Sequence, residues 1–260
     1  MLTMFCNAYN LNEYMRNLIV YLLLLVWIPG VAQGFEERIY EAYISGEMGD
    51  WHRAMEEMEQ LWASTGSHEL LYDLVVAQYG YIAWLISQEE EKTAREYVKQ
   101  AEDYLEIILE RSPDNARAHA MLGAIYGYKV GLNAYKAVVF GGKAFSENKL
   151  ALELDPDDPQ VWMEKGNIEF YKPAIFGSSS VEAAKIYEKA VKLYEADSQE
   201  LKHNWLYLNT LRSLADAYIA SGMYREANDV YQKMLRVEPR LKWMQEKVYP
   251  AFLKKHQGKI

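Results

Sequence analysis

The spacing between certain alanines and prolines is the feature of this sequence that most constrains its fold. An alanine is followed twelve residues later by a proline three times, from Ala101 to Pro113, from Ala144 to Pro156 and from Ala227 to Pro239. A proline ends a helix because it has no backbone N–H to donate and its ring clashes with the preceding turn. Helices that end at a fixed distance from a small residue indicate a stack of similar helix pairs.

The third of these segments has the most complete pattern. Its first helix carries a small residue at Ala215 and an aromatic residue at Tyr218, and its second carries Ala227 and Tyr231 before the proline. Small residues allow two helices of a pair to approach closely, and aromatic residues fill the space between successive pairs. This order resembles the tetratricopeptide repeat (TPR), and the resemblance implies a right-handed α-solenoid.

The same register recurs along the chain and predicts about five helix pairs. Leu122, Gly123 and Tyr126 fit a first helix, and Ala183 and Tyr187 fit a second helix. No alternation typical of strands is present. We therefore expect an all-α, right-handed α-solenoid of TPR-like helix pairs in a single domain over residues 35–260, with pairs near 36–64, 70–111, 116–155, 159–197 and 203–238 and a C-terminal capping helix at 241–255.

Residues 1–34 have the pattern of a secretory signal peptide. The apolar run of eleven residues from Leu18 to Ile28 follows Arg16 and precedes small residues, with possible cleavage after Ala32 or Gly34. A membrane-spanning helix needs about 20 residues, so the run is short for a span. We expect an exported protein, periplasmic or associated with the cell envelope, with no stable membrane span in its mature form. An uncleaved N-terminal anchor is the alternative.

Two further features of the N-terminal segment bear on the mature chain. A start at Met15 instead of Met1 would give a more typical signal peptide, so both starts stay open. The only cysteine is Cys6, which precedes the apolar run, so the mature protein would contain no disulfide.

Two insertions interrupt the repeat register. Nine residues separate Tyr218 from Ala227, but eighteen separate Tyr126 from Ala144, and the next repeat contains the stretch YKPAIFGSSS at 171–180. Both insertions end in a branched apolar residue followed by Phe-Gly, at Phe140 and at Phe176. Corresponding turns of stacked repeats share one edge, so we expect two neighbouring loops. Phe140 and Phe176 then either pack back into the core or form a lip over one end of the groove.

The second insertion also carries a helix-start signal and a narrower resemblance. Ser179 and Glu182 have the spacing of a capping box. The stretches FYKPAIFGSSSVEAAKIYEKAVKLYE, HNWLYLNTLRSLADAYIASGMYREA and VEPRLKW resemble exported bacterial TPR proteins with a Tyr-x-Pro-x-x-Phe-Gly-Gly loop, although Ser178 replaces the second glycine here. The group is distantly similar to the TPR component of TRAP transporters, which implies a role in handling a periplasmic ligand.

Composition and motif spacing disfavour several functions. The net charge of −9 would repel phosphate backbones, so we expect no nucleic-acid binding. The five histidines have no zinc-site spacing, and no nucleophile motif occurs. The acidic stretch at 154–159 fits a turn between repeats better than a calcium loop. We therefore expect neither an enzyme nor a bound metal or cofactor.

The remaining candidate site is the concave face, which the first helix of each pair lines. A non-catalytic scaffold would bind a protein or peptide there, whereas a periplasmic ligand-handling component would enclose a small molecule. Packing between helices is the simpler explanation for Tyr128, Met163 and Phe170, and an exposed ion pair is the simpler explanation for Arg212 with Asp216. The inward candidates are Arg117, Tyr128, Gln160, Met163, Asn167, Phe170, Asn209, Arg212 and Asp216.

Overall fold

The computed structural model describes residues 34–173, 176–199 and 201–260, and the predicted signal peptide lies almost entirely outside them. In these ranges the chain is helical, with no strand. The helices are α1 (34–45), α2 (Met48–Thr65), α3 (His68–Ser87), α4 (Glu91–Arg111), α5 (Ala116–Leu132), α6 (Ala137–Leu154), α7 (Pro159–Tyr171), α8 (Ser180–Ala196), α9 (Trp205–Ala220), α10 (Tyr224–Val237) and α11 (Tyr249–Lys255), which continues a π-helical turn at Met244–Val248.

The predicted all-α solenoid is confirmed. Consecutive helices pack against each other from α2 to α10. Arg38 of α1 pairs with Glu57 of α2, and Phe252 of the final helix packs against Tyr231 of α10. Polar residues fix where several helices begin, because their side chains accept a hydrogen bond from the backbone N–H three residues later. These N-caps are Ser67, Asn115, Asp158, Ser179 and Asn204.

Small residues lie where the two helices of a pair touch. Ala227 is fully buried between α9 and α10. A Cβ atom on Gly123 would lie 2.9 Å from the carbonyl oxygen of Ala144, and one on Gly166 would lie 2.5 Å from the ring of Tyr187. Both distances are too short for a real contact, so these helices pack at a separation that only glycine permits.

The first and last repeats contact each other, so the superhelix closes on itself. The Tyr40 hydroxyl donates to Glu238 at 2.9 Å, and the indole N–H of Trp243 donates to the backbone oxygen of Tyr43 at 3.0 Å. The rings of Trp51 and Trp205 meet edge to face with centroids 5.0 Å apart. These partners are separated by about 150 to 200 positions in the chain. The closure follows from aromatic residues that both ends direct inward.

Helix α3 is the apolar element of the interior. It is the one helix in the described part of the chain that is long and apolar enough to cross a membrane, and half of its apolar window is buried inside the protein. Ten of its residues are buried, on more than one side of the helix. A helix that is hydrophobic on most sides is buried on most sides, and α3 packs against α2, α4 and α5.

The first insertion is not a loop, which corrects the expectation from the sequence. Asn133 caps a short 3-10 turn at Ala134–Lys136, and Phe140 and Gly141 then lie in the first turns of α6. The extra residues therefore lengthen α5 and α6. No proline interrupts this stretch, so nothing in it prevents the helix from continuing.

The second insertion does form an irregular connection, between α7 and α8. Phe176 is 66% exposed, and Ala174 and Ile175 lie outside the described residues. Only half of the capping box forms: the Ser179 hydroxyl accepts from the N–H of Glu182 at 3.2 Å, but the N–H of Ser179 donates to Glu169 at 3.0 Å. Glu169 on α7 thus replaces Glu182 and ties the connection to the helix before it.

Candidate functional site

Three of the predicted concave residues, on α5 and α7, are hydrogen-bonded to α3. The Tyr128 hydroxyl donates to the backbone oxygen of Tyr79 at 3.2 Å, and Asn167 donates to the hydroxyl of Tyr79 at 3.1 Å. Gln160 accepts from the hydroxyl of Tyr72 at 3.0 Å. Three of the nine predicted residues thus hydrogen-bond to this chain's own α3.

Two other predicted residues have clear structural roles. Met163 is fully buried in the core. Arg117, whose side chain is 40% exposed, pairs with the buried carboxylate of Asp158, and Asp158 also caps α7. Arg117 therefore joins the start of α5 to the start of α7.

A buried carboxyl group, absent from the sequence-based candidates, lies among these residues. Glu164 is 1% exposed, and burial raises its pKa to about 7, while hydrogen bonds from Asn167 and Tyr79 oppose the rise. The amide of Asn167 donates to Glu164 at 2.9 Å and accepts from Tyr187 at 2.7 Å. In the described part of the chain, the second oxygen of Glu164 has no hydrogen-bond partner, and neither has the nitrogen of Gln160 one turn away.

The part of the inner face nearest α9 stays accessible. The guanidinium Nε of Arg212 lies 3.1 and 3.0 Å from the two carboxylate oxygens of Asp216. Their side chains are 31% and 35% exposed, so the pair is half-buried and not fully exposed. Burial raises the pKa of Asp216, and Arg212 opposes that rise.

Aromatic residues surround this ion pair. The guanidinium of Arg212 lies 6.0 Å from the ring of Trp243. Tyr171 is 72% exposed, yet desolvation raises the pKa of its hydroxyl, with Asp216 adding to the rise and Arg212 opposing it. Tyr171 is therefore an accessible side chain whose hydroxyl is close enough to the ion pair to interact with it electrostatically. We call Phe170, Tyr171, Asn209, Arg212 and Asp216 the mouth; all but Tyr171 are half-buried.

The two aromatic residues of the predicted lip have different surroundings. Phe140 is half-buried against the ring of Tyr126, with centroids 5.4 Å apart, and the Lys129 ammonium lies 4.6 Å from its centroid. Phe176 stands exposed in the connection after α7. In the described ranges no ring contact joins Phe140 to Phe176. The lip over the groove stays a prediction.

Metal ligands do not converge in the described ranges. There, no group of three or more histidine, cysteine, aspartate or glutamate side chains is arranged to hold a metal ion.

Comparison with known proteins identifies the architecture. No family model matches the sequence, and no curated protein matches it. Among solved structures, TTC0263, a thermophilic TPR protein from Thermus thermophilus, is similar with a TM-score of 0.58 at 17% identity over 85% of this chain and 99% of that chain. The chain has a TPR-like fold. At this identity the similarity establishes the fold and not the function.

A second solved structure has the same degree of similarity. The HusA haemophore from Porphyromonas gingivalis has a TM-score of 0.58 at 17% identity, over 71% of this chain and 92% of that chain. Both structures support the helical repeat scaffold predicted from the alanine and proline spacing.

Proposed function

We propose that this protein is a non-catalytic, exported TPR scaffold that binds a protein or peptide segment at the mouth. The observation that carries the proposal is the accessible Tyr171 beside the half-buried Arg212–Asp216 pair. Tyrosine and arginine are enriched among the residues that dominate binding at protein interfaces. The ion pair also offers a donor and an acceptor in an aromatic, partly desolvated surrounding, where charged hydrogen bonds are strong.

A small molecule is the second candidate ligand, and the closure of the superhelix favours it. Hydrogen bonds from α5 and α7 to α3 occupy part of the inner face, which favours a compact ligand over an extended peptide. A neighbour with this fold is named a haemophore. A ligand-handling component with the same mouth would enclose a compact molecule instead of an extended peptide.

The test is affinity capture from the cell envelope of the native organism, with the natural exported protein and three variants as bait. The variants are Tyr171→Ser and Arg212→Gln in the mouth and, as a matched control, Arg225→Gln on α10, outside the mouth. We expect a protein that the natural form and the Arg225 variant retain and that both mouth variants lose.

Two other outcomes of this experiment are informative. If no protein is retained but a small-molecule fraction of the envelope raises the melting temperature of the natural form and not of the mouth variants, the second candidate is supported. If all three variants retain the same partners, binding at the mouth is wrong.

Export is part of the proposal and has its own test. The apolar run from Leu18 to Ile28 and the small residues after it support removal of the N-terminal segment. Mass spectrometry of the protein from the envelope fraction is expected to find a start at Gln33 or Phe35. Retention of the apolar run in the mature protein would instead favour the N-terminal anchor.

A further inference from the structure

The first insertion lies in a region of the chain with an unusual charge. Residues 115–146 contain Arg117, Lys129, Lys136 and Lys143 and no aspartate or glutamate, although the whole chain carries a net charge of −9. In the described part of the chain no carboxylate pairs with Lys136 or Lys143. Their positive charges are therefore not neutralised by the protein itself.

The same insertion exposes large apolar side chains. Tyr135 and Val138 are each 93% exposed, Phe145 is 63% exposed and Val139 is 57% exposed. Val138 and Phe145 are seven residues apart on α6, so they share one side of that helix. A neighbouring side of α6 is buried through Ala144, Asn148 and Ala151. The apolar residues thus point away from the protein.

We call Tyr135, Lys136, Val138, Val139, Lys143 and Phe145 the basic apolar patch. A recess of about 380 Å³ lies beside it. Four of its lining residues are cationic and one is acidic: Arg95, Lys99, Lys129 and Lys136 with Glu102. Glu102 pairs with Lys129, Glu91 with Arg95 and Asp103 with Lys99, so within the described ranges Lys136 is the cation of the recess that no carboxylate pairs with.

We propose that the basic apolar patch attaches the protein to the surface of an anionic phospholipid bilayer. Peripheral binding of this kind depends on apolar side chains that enter the boundary between headgroups and acyl chains, and on lysines that attract anionic headgroups. The patch supplies both within the stretch from Tyr135 to Phe145, and Lys136 adds its charge to the lining of the recess. Charge complementarity favours an anionic surface for this patch in an otherwise acidic protein.

Vesicle cosedimentation tests the proposal. The protein is purified after export, every variant carries the same N-terminus, and vesicles contain either phosphatidylcholine alone or an equimolar mixture with phosphatidylglycerol. The natural protein is expected to bind the anionic vesicles only, with an affinity that falls as salt is added. Since each lysine near an anionic surface contributes about fivefold to affinity, Lys136→Glu with Lys143→Glu should reduce binding by about 25-fold or more.

Matched controls separate this site from a general effect of charge or hydrophobicity. Lys254→Glu with Lys255→Glu makes the same charge change on exposed residues of α11. Val138→Ser with Phe145→Ser is compared with Val237→Ser and Leu253→Ser, which are 44% and 39% exposed. Both patch variants should weaken binding while both control variants keep it, and circular dichroism should show that all four are folded.

Three results would overturn the proposal. The first is equal binding of the natural protein to both kinds of vesicle, or binding to neither. The second is an equal loss in the patch and control variants. The third is a dimer in sedimentation that only the patch variants convert to a monomer, which would assign the patch to contacts between copies of this chain.

Discussion

At the scale of single residues, the repeat register correctly placed the small side chains. Ala227 is fully buried where α9 meets α10, and Gly123 lies against the backbone of α6. These positions were predictable because the requirement for a small residue depends only on the contact between two helices that are adjacent in sequence. The sequence pattern contains that local information in full.

Enlarging one of these side chains should destabilise the protein. Ala227→Leu and Gly123→Leu are each expected to lower the free energy of unfolding by about 1–3 kcal/mol, because extra methyl groups must be placed in a tightly packed contact. Ala220→Leu, at an exposed position near the end of α9, should cost much less. Thermal denaturation of the three variants measures this difference. Equal damage from Ala220→Leu would show that the helix register is wrong.

The buried carboxyl of Glu164 was not predictable from the same register. The pattern shows that residues of α7 face inward, but it does not show that α3 covers them. Glu164 was not among the inward candidates of α7. Its burial depends on a contact between repeats that are distant in the chain, through Tyr79 on α3.

Glu164 should make the stability of the protein depend on pH. Its folded-state pKa is raised to about 7 from 4.5, so the folded protein holds a proton that the unfolded chain has released between these values. The free energy of unfolding should therefore fall as pH rises from 4.5 to 7, by up to about 3 kcal/mol. Asp73 should also lower the free energy of unfolding as pH rises, because its pKa is raised to about 7. Burial is the main cause, and the negative charges of Glu36 and Glu69 add to it.

The variant Glu164→Gln isolates the contribution of Glu164. It keeps the shape of the side chain and removes the titration, so stability at about pH 8 should increase relative to the natural protein, with little change at about pH 5. The free energy of unfolding should therefore change less steeply with pH between these values. Glu164→Gln combined with Asp73→Asn should reduce this pH dependence further. Urea denaturation across pH provides the measurement. An unchanged slope in the Glu164 variant would mean that this carboxyl is ionised in the folded protein.

At the scale of helices, nearly all elements were predicted from the sequence, and the exception is the insertion after Tyr126. Its Phe-Gly pair resembles the pair in the connection after α7, and two similar endings were expected to form two similar loops. The local conformations differ, because Gly141 lies within α6 while Gly177 has a positive φ of 74°. The Phe-Gly pattern alone therefore does not distinguish a loop from a helix.

Alanine substitutions distinguish these two conformations. Gly141→Ala and Gly142→Ala should each stabilise the protein by about 0.5–1 kcal/mol, because glycine is a poor helix former and nothing lies within 4 Å of the added methyl groups. Gly177→Ala should destabilise it, because alanine disfavours a positive φ. Denaturant unfolding of the three variants gives the signs. Destabilisation by Gly141→Ala would show that Phe140 ends a loop, as the sequence alone had indicated.

At the scale of the whole molecule, the central feature is the closure of the superhelix around α3. A solenoid in which each repeat contacts only its neighbours can open one repeat at a time. Contacts of α1 and α2 with α9 and the C-terminal capping segment make the ends interdependent. Closure could not be predicted from the repeat pattern, because that pattern describes neighbouring repeats only.

A double-mutant cycle across the closing contact tests this account most directly. Trp51 and Trp205 belong to the first and last repeats, and their rings meet edge to face at 5.0 Å beside Gly80, where an added Cβ would lie 2.8 Å from each ring. The free energy of unfolding is measured for the natural protein, Trp51→Leu, Trp205→Leu and the double variant. Closure predicts a coupling energy of about 0.5–1.5 kcal/mol between the two sites. Effects that add to within about 0.3–0.5 kcal/mol would show that the two ends do not meet and that the superhelix is open.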